Sequence, residues 1–198
     1  MLEIKDYIPA KELTRAGDLY LEAFGAKLLP LLGPPGRLRR LLLGGLRRQR
    51  AVGAYDETGR LVALLGYHWE GESFTDITFS GLQHEFGLWG ASWRIILMGI
   101  LLDRKPDHDK QLLMDGISVA PEMRGRGVGT QMFAHLETLA LKLGATEIKL
   151  DVIDSNFGAR KLYLRLGFDE KGHTRVPAFL QKWLPVNGST TMIKKLKG

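Results

Sequence analysis

The stretch Val119-Ala-Pro-Glu-Met-Arg-Gly-Arg-Gly-Val-Gly-Thr130 decides how this chain folds. It follows a strand-like segment at 112–119 and precedes a segment whose apolar residues recur at helical spacing, which predicts an amphipathic helix. These apolar residues are Val128, Met132, Leu136, Leu139 and Leu143. A glycine-rich turn at the start of a helix offers free backbone N–H groups and the positive end of the helix dipole. The stretch therefore predicts a site for a phosphorylated cofactor.

Two common nucleotide-binding motifs do not fit this stretch. A P-loop ends in Gly-Lys-Ser/Thr, whereas Gly129 is followed by Thr130 and Gln131, so the phosphate-binding lysine is missing. A dinucleotide-binding fingerprint needs a third glycine where Thr130 stands. It also lies near the start of a βαβ unit and is followed by an acidic residue about 20 positions later. Here the motif lies in the second half of the chain.

The pattern Arg124-x-x-Gly127-x-Gly129, preceded by Val119-x-Pro121, resembles the acyl-coenzyme A signature of the GNAT superfamily of N-acyltransferases. The resemblance continues downstream, where a predicted strand at 147–153 leads into Asn156. Tyr163 follows seven residues later, before Leu166-Gly167-Phe168, which is similar to the second motif of that superfamily. The resemblance covers roughly residues 110–170, and its specificity comes from several spaced elements that agree.

The resemblance implies one GNAT-like domain over residues 1–198, with a cofactor-binding core at about 110–170. The fold would be mixed α/β, with a mostly antiparallel sheet flanked by helices and with two central strands splayed apart. The residue patterns agree with an alternating order of helices and strands. They predict strands at 2–7, 51–55, 61–69, 74–79, 112–119, 147–153, 169–175 and 189–196, and helices at 9–24, 36–46, 89–102 and from 128 onward.

Acetyl-CoA is the co-substrate that this resemblance implies. Its pantetheine arm would enter between the splayed strands and hydrogen-bond like an extra strand. The resemblance assigns backbone contacts with the pantetheine and the thioester to Ile117, Ser118 and Val119, and a further pantetheine contact to Asn156. It assigns the pyrophosphate to Arg124, Gly125, Arg126, Gly127, Val128, Gly129 and Thr130.

Tyr163 is the best candidate for a catalytic acid. When an amine attacks the thioester, the coenzyme A thiolate leaves and needs a proton. A phenol of pKa about 10 can protonate a thiolate whose acid has a pKa of about 8.5, especially when that thiolate is desolvated. The alternative is that Tyr163 packs beside Leu162 and Leu166.

Two carboxylates are candidates for the general base. Asp115 precedes Ile117 and Val119 by two and four residues, which predicts that all three share one strand face. Some polyamine-type members carry a carboxylate at the matching position, although Gly116 replaces the second acid often seen beside it. Asp151 matches a glutamate of N-terminal protein acetyltransferases. Either carboxylate could instead bond a backbone N–H, and deprotonation through water needs no dedicated base.

Composition predicts a soluble, cytoplasmic protein without a metal site. Hydrophobic residues make up 44% and charged residues 25% of the 198 residues, as in ordinary globular proteins. Cysteine is absent, and the five histidines are scattered without metal-ligand spacing. The most apolar stretch, 88–102, is too short to span a bilayer. We expect it to be buried against the sheet, with a lid or a homodimer face as alternatives.

The basic charge is concentrated in an arginine-rich segment, residues 37–50. It holds six arginines and no acid, and without them basic and acidic residues would balance at 22 each. One interpretation is a patch for nucleic acid or a ribosomal surface, which would suit a non-catalytic acyl-CoA-binding module. We favour a solvated helix face, because leucines supply an apolar side. The leading hypothesis is therefore acetyl transfer to a primary amine of a small molecule or protein N-terminus.

Overall fold

One mixed sheet runs through the computed structural model, which describes residues 2–101, 105–176, 181 and 187–197. The strands are β1 (Glu3–Lys5), β2 (Ala51–Tyr55), β3 (Leu61–Trp69), β4 (Glu72–Ser73), β5 (Gln111–Val119), β6 (Glu147–Ile153), β7 (Asp169–Arg175) and β8 (Gly188–Lys195). Their spatial order is β1-β2-β3-β5-β6-β8-β7, and β4 pairs with β3. All these pairings are antiparallel except that of β5 with β6. The expected mixed, mostly antiparallel sheet is confirmed.

Helices cover both faces of this sheet. They are α1 (Leu13–Leu32), α2 (Pro35–Gly45), α3 (Phe79–Leu101), α4 (Val128–Lys142) and α5 (Phe157–Arg165). Helices α1 and α4 both pack on β3 and β5, from opposite faces, and α5 lies beside α4. The apolar stripe predicted for α4 is buried, as at Met132 and Leu136. In the part of the chain described, each helix lacks the length or the apolar character that crossing a membrane would require.

The central strands β5 and β6 diverge. They pair only where Gln111, Leu112 and Leu113 meet residues 147–149. Beyond that point β5 stays with β3, while β6 stays with β8. We call the opening between residues 114–119 and 150–153 the β5–β6 gap. It confirms the expected splay, and it leaves the inner edges of both strands available to an extended ligand.

The region between β3 and β5 departs from the sequence prediction. A strand at 74–79 was expected, but β4 ends at Ser73 and α3 starts at Phe79. The hydroxyl of Thr78 accepts the N–H of Gly81 at 3.2 Å, a local bond that favours the start of a helix over a strand.

Helix α3 is interrupted at Gly87, where φ is 69°. Its second half was expected to be buried, yet Trp89 is 90% exposed. Leu88, Trp93 and Ile96 are exposed as well, so the prediction of burial was wrong for much of this stretch. Pro177, Trp183 and Pro185, between the predicted strands at 169–175 and 189–196, lie outside the described residues, as does Leu102 at the predicted end of this helix.

Candidate active site

The segment that we call the phosphate loop, residues 124–130, follows β5 and includes the first residues of α4. Gly125 and Gly127 have φ values of 74° and 75°, a left-handed conformation that favours glycine. A Cβ atom built at either residue would meet no heavy atom within 4 Å, so the surface beside them is open. The N–H groups of Val128, Gly129 and Thr130 open α4 and have no acceptor within the helix. These donors at the start of α4 form a cradle for an anion.

The side chain of Arg124 fastens this loop to the rest of the protein. Its Nε donates to the carbonyl oxygen of Val119 at 2.9 Å, and a terminal nitrogen contacts Glu22 of α1 at 2.9 Å. The guanidinium thus holds the loop against the end of β5. Arg126 is exposed beside the open glycines. A phosphate contact by either arginine stays a prediction.

The alternation of side chains along β5 is interrupted at Asp115. Gly66 of β3 faces Gly116, whereas Tyr67 faces Met114. Asp115 is therefore an extra residue in β5, which makes this position a β-bulge. A bulge shifts every later side chain by one position relative to simple alternation.

The bulge turns Asp115 toward the face covered by α1. Its Oδ2 accepts the backbone N–H of Phe74 at 3.1 Å, and the ring of Phe74 packs against α1. Ser118 donates its hydroxyl to a carbonyl of α1 at 2.7 Å, so the neighbouring side chains of Ile117 and Val119 face α4. The prediction that Asp115 shares their face is wrong, because the bulge cannot be seen in the spacing.

Asp151 lies on the other side of the β5–β6 gap. Leu150 and Val152 are buried in the core, so Asp151 between them projects toward the opposite face. Its Oδ1 accepts the hydroxyl of Thr191 on β8 at 2.5 Å. Asp115 and Asp151 therefore extend toward the face covered by α1, from the two strands that diverge.

Asn156 caps α5 at the end of the gap. Its Oδ1 accepts the backbone N–H of Ala159 at 3.1 Å. An asparagine side chain also carries an NH₂ group, and this one lies on an exposed residue. The cap uses the oxygen, and the donor side can still serve a ligand.

Two substitutions of Asn156 separate these roles. Asn156→Asp keeps the capping oxygen and is expected to leave the free energy of unfolding nearly unchanged. Asn156→Ala removes the cap and should lower that energy by about 1 kcal/mol. Both remove the NH₂ donor, so both are expected to weaken acetyl-CoA binding. Urea unfolding and calorimetric titration measure the two effects, and full affinity in Asn156→Asp would exclude a ligand contact through NH₂.

Tyr163 lies inside an aromatic cluster. Its ring centroid is 5.3 Å from that of Phe133 on α4 and 5.9 Å from that of Phe168. The residue is 5% exposed, and burial raises the pKa of its phenol to about 12. Burial disfavours the charged phenolate, so the side chain holds its proton across the physiological range. The packing alternative and the proton-donor role are compatible in this environment.

The raised pKa of Tyr163 predicts a loss of stability at high pH. The unfolded chain releases this proton near pH 10 and the folded chain near pH 12, so stability is complete below pH 10 and declines above it. At pH 11 the contribution lost is about 1.4 kcal/mol. Tyr163→Phe should therefore gain about that much stability relative to the native chain between pH 8 and pH 11. Urea unfolding measures the difference in unfolding free energy between Tyr163→Phe and the native chain at each pH. The same difference at pH 8 and pH 11 would contradict the raised pKa of Tyr163.

Five of the six arginines in the arginine-rich segment form ion pairs with carboxylates from neighbouring elements. Arg37 and Arg40 pair with Glu85, Arg39 with Asp18, Arg47 with Glu72 and Asp76, and Arg50 with Glu72. These contacts tie α2 and the following turn to α1, β4 and α3. They favour the interpretation of a solvated, ion-paired helix face over a patch for nucleic acid.

Two aromatic rings near the gap were not singled out as functional by the sequence. Phe24 was predicted only as part of the apolar stripe of α1, and Phe74 as part of a strand. Phe24 lies over Gly116 and Phe74 lies over Gly66. Local spacing could not reveal these contacts, since each joins residues far apart in the chain. Within the described ranges no cluster of histidines and carboxylates has the makings of a metal site.

A sequence model described as the acetyltransferase (GNAT) family matches residues 42–168. N-acetyltransferase 8F1 of Rattus norvegicus is 28% identical over 123 residues, which cover 60% of this chain and 54% of that protein. Thialysine N-epsilon-acetyltransferase of Bos taurus is 34% identical over 58 residues, covering 29% of this chain and 34% of that protein. The chain thus spans about half, or less, of the length of these curated relatives.

The solved structure of polyamine N-acetyltransferase from Drosophila melanogaster, which forms N-acetylagmatine, shares the fold. Its TM-score is 0.64 at 16% identity, over 99% of this chain and 100% of the other. At such identity the likeness supports the architecture only. The family match covers more than half of the chain, including the phosphate loop, the β5–β6 gap and Tyr163, and this protein therefore belongs to the acetyltransferase (GNAT) family.

Proposed function

We propose that this protein transfers the acetyl group of acetyl-CoA to a primary amine, and that residues 1–198 form one N-acetyltransferase domain. The amine attacks the thioester directly in a ternary complex, without a covalent enzyme intermediate. One observation carries the proposal: the β5–β6 gap opens between the phosphate loop and Asn156. An extended thioester cofactor needs a site for its phosphates, which the phosphate loop offers. It also needs an open strand edge for its pantetheine arm, which the gap offers, and a side-chain donor beside that arm, which Asn156 offers.

The residues present fit acetyl-CoA. The pyrophosphate would be held by the N–H groups of residues 125–130, where positive φ at Gly125 and Gly127 leaves the approach open. The pantetheine arm would pair with the gap-facing backbone of residues 117–119, as in strand addition. When bound, acetyl-CoA supplies the activated carbonyl carbon. A backbone N–H near Val119 would stabilise the developing oxyanion, by about 3 kcal/mol.

Proton transfers complete the proposed reaction. A bond forms between the amine nitrogen and the acetyl carbon while the bond from that carbon to sulfur breaks. Tyr163 donates its phenolic proton to the leaving thiolate, and its raised pKa keeps this proton available up to strongly alkaline pH. The acylated nitrogen loses its remaining excess proton to solvent, and solvent restores the proton of the phenol.

Asp115 receives the proton of the ammonium acceptor in this proposal. The bulge places it beside Gly116, on the face from which an amine can reach the thioester. Asp115→Asn is expected to lower kcat/KM at pH 7 by about 10²-fold, and the loss should shrink as the pH approaches the amine pKa of about 10. Asp151→Asn, the matched variant across the gap, should lose less than about tenfold. Steady-state rates from pH 7 to pH 10 check both, and a pH-independent loss in Asp115→Asn would contradict a base.

Thiol release from acetyl-CoA across a panel of primary amines tests the proposal itself. We expect turnover that depends on the amine, with a product whose mass rises by one acetyl group. A folded protein that fails to bind acetyl-CoA by calorimetry would overturn the assignment. Binding without turnover on any amine would favour the non-catalytic acyl-CoA-binding module.

A further inference from the structure

The acceptor amine must approach the thioester from the face of the sheet covered by α1. The phosphate loop and α4 lie on the opposite side, which the cofactor itself would fill under the proposed function. Helix α1 is held against the site at two points, by Ser118 bonding its backbone at 2.7 Å and by Arg124 contacting Glu22 at 2.9 Å. Its side chains over β5 therefore form a fixed wall of the acceptor site.

Phe24 is the part of this wall that lies over Gly116, a residue of β5 that borders the gap. A Cβ atom built on Gly116 would stand 2.4 Å from the tip of the Phe24 ring and 3.0 Å from its side. Such distances leave no space for a side chain at Gly116 while the ring stays in place. A second carboxylate next to Asp115 is thus excluded by Phe24.

Phe74 repeats the arrangement on the neighbouring strand. Gly66 and Gly116 are direct partners across β3 and β5, and a Cβ on Gly66 would stand 2.5 Å from the Phe74 ring. Tyr20 joins the two rings, with its centroid 4.6 Å from Phe24 and 5.9 Å from Phe74. Phe74 and Tyr20 are buried, whereas Phe24 is only half-buried, so Phe24 presents the accessible aromatic surface.

The charges around this aromatic wall suit an acceptor with one positive charge. Asp115 stands at its edge through the hydrogen bond with Phe74, and Asp151 stands across the gap. While the Phe24 ring stays in place, it leaves no space at Gly116 for a second carboxylate beside Asp115. A further ammonium group of a polyamine would therefore find no carboxylate at Gly116, whereas an aromatic monoamine can offer its ammonium to Asp115 and its ring to Phe24.

We propose that Phe24, seated on Gly116, is a specificity-determining residue that selects a primary monoamine with an aromatic or apolar carrier over a polyamine. The inference rests on the proposed function and names the class of its acceptor.

Phenethylamine and spermidine are the two probes. We expect the native chain to acetylate phenethylamine with a kcat/KM at least about tenfold higher than spermidine. Phe24→Ala should lower that ratio by about tenfold or more while leaving the Kd of acetyl-CoA unchanged. Equal or better turnover of spermidine by the native chain, or an equal loss for both amines in Phe24→Ala, would overturn the proposal and leave the transferase activity standing.

A second pair of variants tests the contact itself. Gly116→Ala forces the Phe24 ring to move, so we expect it to disturb phenethylamine turnover and to lower stability. In Phe24→Ala the obstacle is gone, and adding Gly116→Ala should have little further effect on either quantity. Additive effects in this double-mutant cycle would show that the ring does not rest on Gly116.

Calorimetric binding of each amine to the protein saturated with coenzyme A needs no turnover. Tighter binding of phenethylamine that is lost in Phe24→Ala would uphold the acceptor site even if no amine were acetylated, in which case the proposed function alone would fail. Equal affinities, or no binding of phenethylamine, would overturn the acceptor assignment.

Discussion

Tyr163→Phe is expected to lower kcat for amine acetylation by about 10² to 10⁴-fold. The substitution removes the proton that we assign to the leaving thiolate, and it keeps the ring between Phe133 and Phe168. Because the packing is retained, the Kd of acetyl-CoA should stay the same. Steady-state kinetics and calorimetric binding on the same preparation separate the two quantities.

Tyr55→Phe is the matched control for this experiment. Tyr55 is also a buried tyrosine with a raised pKa, but it lies on β2 and its hydroxyl bonds the carbonyl of Tyr7. Its rate should equal that of the native chain. Burial holds the pKa of Tyr163 at about 12, so the native rate should show no decline from pH 7 to pH 10. A full native rate in Tyr163→Phe would remove the acid role and leave Tyr163 as a packing residue.

Gly127→Val is expected to weaken acetyl-CoA binding by about 100-fold, equivalent to about 2.7 kcal/mol. Gly127 has a φ of 75°, a conformation that a β-branched residue adopts only with strain. Relief of that strain turns the N–H groups of residues 125–130 away from their common direction. Calorimetric titration of acetyl-CoA measures the loss.

Gly59→Val supplies the control, because Gly59 has a φ of 78° and equally open surroundings in the turn between β2 and β3. Gly59→Val should lower the free energy of unfolding about as much as Gly127→Val does, because both put valine at a positive φ. It should leave the Kd of acetyl-CoA unchanged. Equal weakening in both variants would mean that general destabilisation, and not the geometry of the phosphate loop, governs binding.

Local signals in the sequence were sufficient for most of the fold. The apolar spacing from Val128 predicted α4 correctly, and the strands predicted at 51–55 and 61–69 are β2 and β3. The wrong predictions concern segments whose local pattern is compatible with more than one structure. Residues 74–79 contain apolar side chains that suit a strand, yet Thr78 starts a helix there, and the apolar second half of α3 leaves Trp89 exposed.

The candidate site shows the same division. The glycine-rich turn at the start of α4 was predicted from short-range preferences, whereas the positive φ of Gly125 and Gly127 and the cap at Asn156 were seen only in the structure. The face occupied by Asp115 was predicted wrongly, because a bulge depends on the register between β3 and β5 and adds no signal to the spacing.

The chain order of residue types thus specifies a glycine-rich turn between a strand and a helix, because helix starts and glycine turns depend on a few neighbouring residues. Tertiary structure alone decides that β5 and β6 separate at Leu113, which carboxylates pair with the arginine-rich segment, and that Phe24 rests on Gly116. These features join residues far apart in the chain. Strand register and close packing set them, and neither leaves a periodic mark in the sequence.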